Sequence, residues 1–169
     1  MNQQILAKIL NYEQAGETAR QLKSQGKKLV MVSGCFDLMH IGHMEFLSDA
    51  KALGDVLFIS LGSDKTVKTL KGDKRPIMNE GYRAQMLASL QVVDFVVVAN
   101  EEEVALPSGI DFNRLITIIR PDIFAINKGN RSVAEKQDLL ASVGGRLAEI
   151  EGKQITSTTE TVAKIEKLF

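Results

Sequence analysis

The sequence predicts an α/β fold: a doubly wound parallel sheet of about five strands, with helices on both faces. Short apolar segments alternate along the chain with segments of helical periodicity. The apolar segments contain few polar residues, as expected of strands that are buried on both faces of a parallel sheet. Turn residues follow several of them and mark the carboxyl edge of the sheet, where such folds bind ligands.

The strands are predicted from runs rich in β-branched and aromatic residues, at 29–32, 56–61, within 92–98, 123–126 and 147–150. The helices are predicted from apolar positions three and four residues apart, at 1–28, 43–53, 64–71, 79–90, 111–120, 132–143 and 159–168. Pro121 ends one helix because proline disfavours the helical conformation at the residue before it. The resulting alternation is Rossmann-like.

The composition indicates a globular protein of ordinary size. The 169 residues are 44% apolar and 25% charged, with 21 basic side chains balanced by 21 acidic ones. Zero net charge argues against nucleic-acid binding by bulk positive charge, but a local group of cations can still bind a small anion. The single cysteine cannot form an intramolecular disulfide. No signal peptide or membrane-length apolar run is apparent, so we expect a cytoplasmic protein without membrane partners.

Both histidines of the chain lie in one run after the first predicted strand, Gly34-Cys35-Phe36-Asp37-Leu38-Met39-His40-Ile41-Gly42-His43. Glycines let the backbone approach a ligand closely, and the start of a helix presents free N–H groups and a positive dipole end. Imidazoles beside such a site donate hydrogen bonds to phosphate oxygens. Two histidines alone would suggest ordinary core or surface residues, but this setting predicts a phosphate site. Zinc is a poor alternative because only Cys35 and carboxylates remain as further ligands.

This run resembles the H-x-G-H signature of the cytidylyltransferase-like nucleotidyltransferases. A closer resemblance, over roughly residues 20–160, is to the adenylyltransferase domain of bacterial ADP-heptose synthases. The segments that carry it, in the same order, are Gln25-Gly26-Lys27-Lys28, Ala50-Lys51-Ala52-Leu53-Gly54-Asp55, Ser63-Asp64, Leu70-Lys71-Gly72, Arg75-Pro76-Ile77, Arg83-Ala84 and Val93-Asp94.

The resemblance implies a single nucleotidyltransferase domain over 1–169, with 1–28 as a leading helix and 29–169 as the catalytic core. It implies transfer of a nucleoside monophosphate, from ATP first of all, to a phosphorylated small molecule such as a heptose 1-phosphate. Magnesium or another divalent cation would be the cofactor, and the protein would be a homodimer. The alternatives are a CTP-dependent enzyme that makes a CDP-alcohol or CDP-sugar, and a nucleotide-binding module without turnover. An RNA-binding relative is disfavoured by the neutral charge.

Site residues follow by position. The resemblance implies catalytic roles for His40, His43 and Lys71. Nucleotide binding is expected of Gly34, Cys35, Phe36, Asp37, Gly42, Lys128, Gly129, Ser157 and Thr158. The acceptor phosphate is expected to meet Arg83 and Arg75. No dedicated metal ligands are expected, because magnesium would arrive with the triphosphate.

Each role has a physical reason and a plainer alternative. A cation at Lys71 stabilises the charge that develops on the attacked phosphate, although a basic turn that includes Lys74 is often only solvated. Arg83 offers a guanidinium that can grip a phosphate bidentately, or it forms a surface salt bridge. Asp37 either helps to hold magnesium or caps the helix near His40. Hydroxyls before the last helix cap it, grip a phosphate, or do both.

Two segments depart from the relatives. Asn127-Lys128-Gly129-Asn130 stands where they usually have Lys-Gly-Gly-Asp, which leaves the choice of base open. The stretch 101–110 is longer than the usual connection. It shapes the acceptor side, forms an oligomer contact, or is a plain surface loop.

Overall fold

The computed structural model describes residues 2–99, 113–129, 133–151 and 158–168. Its elements in chain order are α1 (Gln3–Leu6), β1 (Ile9–Leu10), α2 (Tyr12–Ser24), β2 (Leu29–Gly34), α3 (Ile41–Lys51), β3 (Val56–Leu61), α4 (Asp64–Lys71), α5 (Glu80–Ala88), β4 (Phe95–Val98), α6 (Asn113–Ile119), β5 (Ile123–Asn127), α7 (Val133–Ser142), β6 (Arg146–Ile150) and α8 (Thr158–Glu166). None of the helices in these ranges combines the length and apolarity that a bilayer crossing requires.

The strands form one parallel sheet of six, in the order β1-β4-β3-β2-β5-β6. The predicted α/β class and parallel sheet are therefore confirmed. Helices cover both faces because successive strand residues point to opposite sides. Val30 and Val32 of β2 pack in a cluster with α3 and α5, whereas Leu29 and Met31 pack in a second cluster with α2, α6 and α7.

The prediction of one helix over 1–28 is wrong. The chain there forms α1, the short strand β1, and α2. Ile9 and Leu10 pair with Val96 and Val97 of β4, which adds a strand at the edge of the sheet. Two strand residues are too few to break the three- and four-residue apolar spacing, so the helical period hides them. The usable signal is Asn11, which begins α2 with a capping box.

Carboxylates close the amino edge of the sheet. Asp122 Oδ2 accepts from the Leu29 amide at 2.7 Å, and its Oδ1 lies 3.2 Å from Lys23 Nζ. Asp94 Oδ2 accepts from the Leu57 amide in the same way. These carboxylates accept from the first residue of β2 and the second residue of β3, so a ligand has fewer free groups to meet at this edge.

The direction in which successive strands are added to the sheet reverses at β2. From β2 the chain moves to β3 and β4 on one side of the sheet, and to β5 and β6 on the other. This reversal makes the crevice between β2 and β5 the switch point at which doubly wound sheets bind ligands. The histidine run begins at the end of β2 and therefore lies at this crevice.

Candidate active site

The two imidazoles stack on each other at the start of α3. His40 is the N-cap residue, with extended backbone and no capping side-chain hydrogen bond, and His43 lies in the first turn. The ring centroids are 3.8 Å apart, with planes inclined by 22°. The ring of Phe36 meets His43 edge-on, with centroids 5.3 Å apart. The loop thus holds both imidazoles at the positive end of a helix.

Both imidazoles have a ring nitrogen without a hydrogen-bond partner in the part of the chain that the structure describes. These are the Nδ1 atoms of His40 and His43, and both are buried. The amides of Ile41 and Gly42 likewise lack an acceptor within the described residues. A buried polar group without a partner in a native structure calls for an explanation, and a bound ion or a catalytic role is one. Ring N–H groups and helix-start amides are donors, so the ligand that fits is an anion.

Burial, and to a lesser extent the neighbouring His40, lower the pKa of His43 from 6.5 to about 4. His43 is therefore neutral at pH 7 and offers one N–H donor without a positive charge. His43 therefore adds no positive charge to the site at this pH, whereas the start of α3 contributes the positive end of a helix dipole.

We expect the ring protons of His43 to titrate with a midpoint near 4 in an NMR pH series. The chain has only two histidines, so a His40→Gln variant assigns the signals. In that variant the His43 midpoint rises but stays below 6.5, because burial is the larger cause of the lowered pKa. A midpoint at or above 6.5 in the wild type would contradict the buried, neutral imidazole.

The lowered pKa of His43 also makes the stability of the folded protein depend on pH. The pKa of His43 is lower in the folded protein than the value of 6.5 for a free side chain, so the unfolded chain binds a proton more readily. The stabilisation is present above pH 6.5 and is lost as the pH falls towards 4. The slope of unfolding free energy against pH in this window should be smaller in His43→Gln than in the wild type.

Asp37 has neither of its expected roles. The residue is 2% exposed, and its carboxylate accepts from Arg75 Nε at 2.6 Å and from the amides of Ile77 and Met78 at 3.0 to 3.1 Å. It therefore neither caps α3 nor offers free oxygens to magnesium. The described ranges contain no group of three or more His, Cys, Asp or Glu side chains placed to hold a metal ion.

Arg83 is not placed for the expected bidentate grip on an acceptor phosphate. Its side chain is 0% exposed and donates from Nε to the Met78 carbonyl, from Nη1 to the carbonyls of Cys35 and Gly62, and from Nη2 to Asp64. These bonds leave too few N–H donors for a bidentate contact. Arg83 instead joins the loops after β2 and β3 to the segment before α5.

Lys71 and Lys74, two of the expected cations, are exposed. Lys71 ends α4, and Lys74 lies in the following turn; neither has an ion-pair partner among the described side chains. Burial raises the pKa of the Cys35 thiol, while the charges of Lys71 and then Arg83 oppose that rise. Lys71 is thus close enough to the loop after β2 to act on it electrostatically. Arg75 forms an ion pair with the Asp37 carboxylate.

Thr158, Lys128 and Gly129 are further predicted residues that the structure describes. The hydroxyl of Thr158, the first residue of α8, donates a hydrogen bond to the Asp37 carbonyl at 2.7 Å, so Thr158 contacts the loop after β2. Lys128 follows β5 and pairs with Glu151 rather than with that loop. Gly129 has φ +84°, a conformation that favours glycine. Ser157, Asn130 and the segment 101–110 lie outside the described residues.

Sequence reasoning missed the residues that hold the loops together. The Asp64 carboxylate accepts a hydrogen bond from Arg83 Nη2, and the Asp64 backbone amide donates to Glu80 Oε2 at 2.7 Å. The contacts from the backbone amides of Ile77 and Met78 could not be predicted from residue type, because every residue other than proline carries a backbone N–H group. Ser63-Asp64 and Glu80, in contrast, stand at helix starts, where acidic and hydroxyl residues are typical.

The sequence profile described as cytidylyltransferase-like matches residues 31–159. The bifunctional protein HldE of Geobacter metallireducens is 37% identical over 166 residues, which are 96% of this chain and 32% of that protein. HldE of Nitratiruptor sp. is 39% identical over 156 residues, 90% of this chain and 31% of that protein. The chain thus spans about a third of the length of these relatives.

Solved structures give the same picture. The lipopolysaccharide core biosynthesis protein from Thermoplasma volcanium superposes with a TM-score of 0.63 at 27% identity, covering 75% of this chain and 98% of that one. Pantoate-beta-alanine ligase from Francisella tularensis, solved in complex with beta-gamma ATP and beta-alanine, has a TM-score of 0.57 at 16% identity. The superposition covers 95% of this chain and 78% of that one. The second likeness concerns the fold alone.

Proposed function

Since this chain belongs to the cytidylyltransferase-like family of nucleotidyltransferases, we propose that it transfers the adenylyl group of ATP to a sugar 1-phosphate, with a heptose 1-phosphate as the favoured acceptor. The observation that carries the proposal is the pair of stacked imidazoles at the start of α3, whose Nδ1 atoms, like the neighbouring helix amides, have no hydrogen-bond partner among the described residues. Similarity to HldE and the resemblance to ADP-heptose synthases support the choice of substrates.

In the proposed reaction an oxygen of the acceptor phosphate bonds to the α-phosphorus of ATP, and the bond from that phosphorus to the bridging oxygen breaks. Pyrophosphate carries away the electron pair. The attacking oxygen is ionised at neutral pH, so no general base is required. The protein contributes positioning and charge stabilisation. His40 and His43 would donate N–H groups to the triphosphate, and Lys71 would stabilise the charge that develops.

Magnesium enters this proposal as part of the substrate. Magnesium prefers oxygen ligands and is commonly bound through substrate phosphates together with few carboxylates. The carboxylate expected to help, Asp37, is occupied by Arg75 and two amides. The described residues therefore fit a magnesium–triphosphate complex better than a metal site built into the protein.

A CTP-dependent reaction is the second candidate. It is motivated by the segment after β5, where the sequence departs from the usual Lys-Gly-Gly-Asp and where Lys128 pairs with Glu151. An altered segment next to the switch point changes the groups that a base would meet. The acceptor would then be a phosphorylated alcohol or sugar.

The test is pyrophosphate release from the purified protein with magnesium, each of the four common nucleoside triphosphates, and a panel of acceptors. The panel contains heptose 1-phosphate, other sugar 1-phosphates, glycerol 3-phosphate and, as a control, the unphosphorylated sugars. We expect release with ATP and a sugar 1-phosphate, and none with the unphosphorylated sugars. Release with CTP alone would replace the ATP proposal, and no release with any pair would favour a binding module.

A further inference from the structure

We propose that Asp37 is a positioning residue for nucleotidyl transfer, which fixes the histidine loop to the basic segment without itself touching substrate. The histidine loop is residues 35–40, and the basic segment is residues 71–78. This inference rests on the proposed function, because it concerns how the same site is assembled.

The histidine loop needs an external restraint. Phe36 has φ 46° and Leu38 has φ 53°, so the residues on both sides of Asp37 adopt the left-handed conformation without being glycine. Such residues cost free energy and persist only where surrounding contacts hold them. The buried carboxylate between them is the contact that the structure supplies.

The restraint joins the loop to two other parts of the site. The Asp37 carboxylate binds Arg75 and the amides of Ile77 and Met78 in the basic segment. Its backbone carbonyl accepts from Thr158 at the start of α8. The basic segment begins at Lys71, so the carboxylate fixes how far that cation lies from the imidazoles. Catalysis by charge stabilisation depends on such distances, and a shift of about 1 Å can cost about 100-fold in rate.

Asparagine cannot replace the carboxylate. Oδ1 accepts from the amides of Ile77 and Met78, and Oδ2 accepts from Arg75 and the Ile77 amide. Either orientation of an asparagine side chain would direct its NH₂ group at an N–H donor. The charge that pairs with Arg75 would also be lost. The Asp37→Asn variant therefore breaks the restraint with almost no change in side-chain volume.

The experiment is a double-mutant cycle on kcat and KM with Asp37→Asn, Arg75→Ala and the double variant, with melting temperature measured in parallel. We expect kcat of Asp37→Asn to fall about 100-fold, a larger factor than any rise in KM for the triphosphate. The kcat of the double variant should be within about threefold of that of Asp37→Asn, because Asp37→Asn has already broken the contact with Arg75. The control is Asp122→Asn, which loses a similar amide and cation contact at the amino edge and should keep kcat within about twofold.

The outcomes separate the two proposals. A wild-type protein that releases no pyrophosphate overturns the proposed function and this inference with it. Wild-type turnover together with normal kcat in folded Asp37→Asn overturns the positioning role alone. Multiplying losses in the double variant, with a raised acceptor KM, would mean that Arg75 meets the acceptor instead. If Asp37→Asn does not fold, Arg75→Ala, which keeps both amide bonds to Asp37, carries the test with the same expected fall in kcat.

Discussion

We expect the His43→Ala variant to release pyrophosphate about 100 to 1,000 times more slowly than the wild type, in kcat, because one preorganised donor to the triphosphate is removed. The pKa of His43, lowered to about 4, makes that donor a neutral imidazole at pH 7. A neutral amide N–H can therefore replace part of its function. His43→Asn should retain more activity than His43→Ala, as measured by steady-state pyrophosphate release.

Ser48→Ala is the matched control for this prediction. Ser48 lies exposed on α3, the same helix as His43, and its replacement should leave kcat within about twofold of the wild type. If His43→Ala is as active as Ser48→Ala, His43 has no part in the chemistry and the proposed catalytic assignment fails.

The second large effect is on stability. The Arg83→Met variant should lose about 3 to 5 kcal/mol of unfolding free energy, because the change removes a fully buried guanidinium and its charged hydrogen bonds. Three backbone carbonyls, of Cys35, Gly62 and Met78, would lose a charged donor at the same time. The side chain of Asp64 is 40% exposed, which keeps the ion-pair share of this loss small.

Thermal denaturation measures this loss, and the melting temperature should fall by about 10 °C for a chain of this size. Arg20→Ala, at an exposed position on α2, should stay within about 0.5 kcal/mol of the wild type. The sequence interpretation predicts a different result, in which Arg83→Met folds with a normal melting temperature and raises the KM for the acceptor. That outcome would return Arg83 to the acceptor site.

The sequence by itself determined the framework of the site. Apolar strands without alternation required a parallel sheet covered on both faces, and that sheet required a ligand site at its carboxyl edge. The strand at 56–61 and the helix at 64–71 have the predicted bounds. The position of His40 and His43 at a helix start followed from local spacing, because helix periodicity and end signals are written in neighbouring residues.

The tertiary structure alone decided which side chains are free for a ligand. Asp37 and Arg83 belong to residue types that can bind a metal or a phosphate, and the sequence left those roles open. Several of their partners are distant in the chain: Arg75 is 38 residues from Asp37, and Cys35 is 48 residues from Arg83. A charged side chain buried by folding must be paired, and the nearest partners are set by how the loops meet. The lowered pKa of His43 depends mainly on burial, which the fold decides, and to a lesser extent on His40, three residues earlier in the chain.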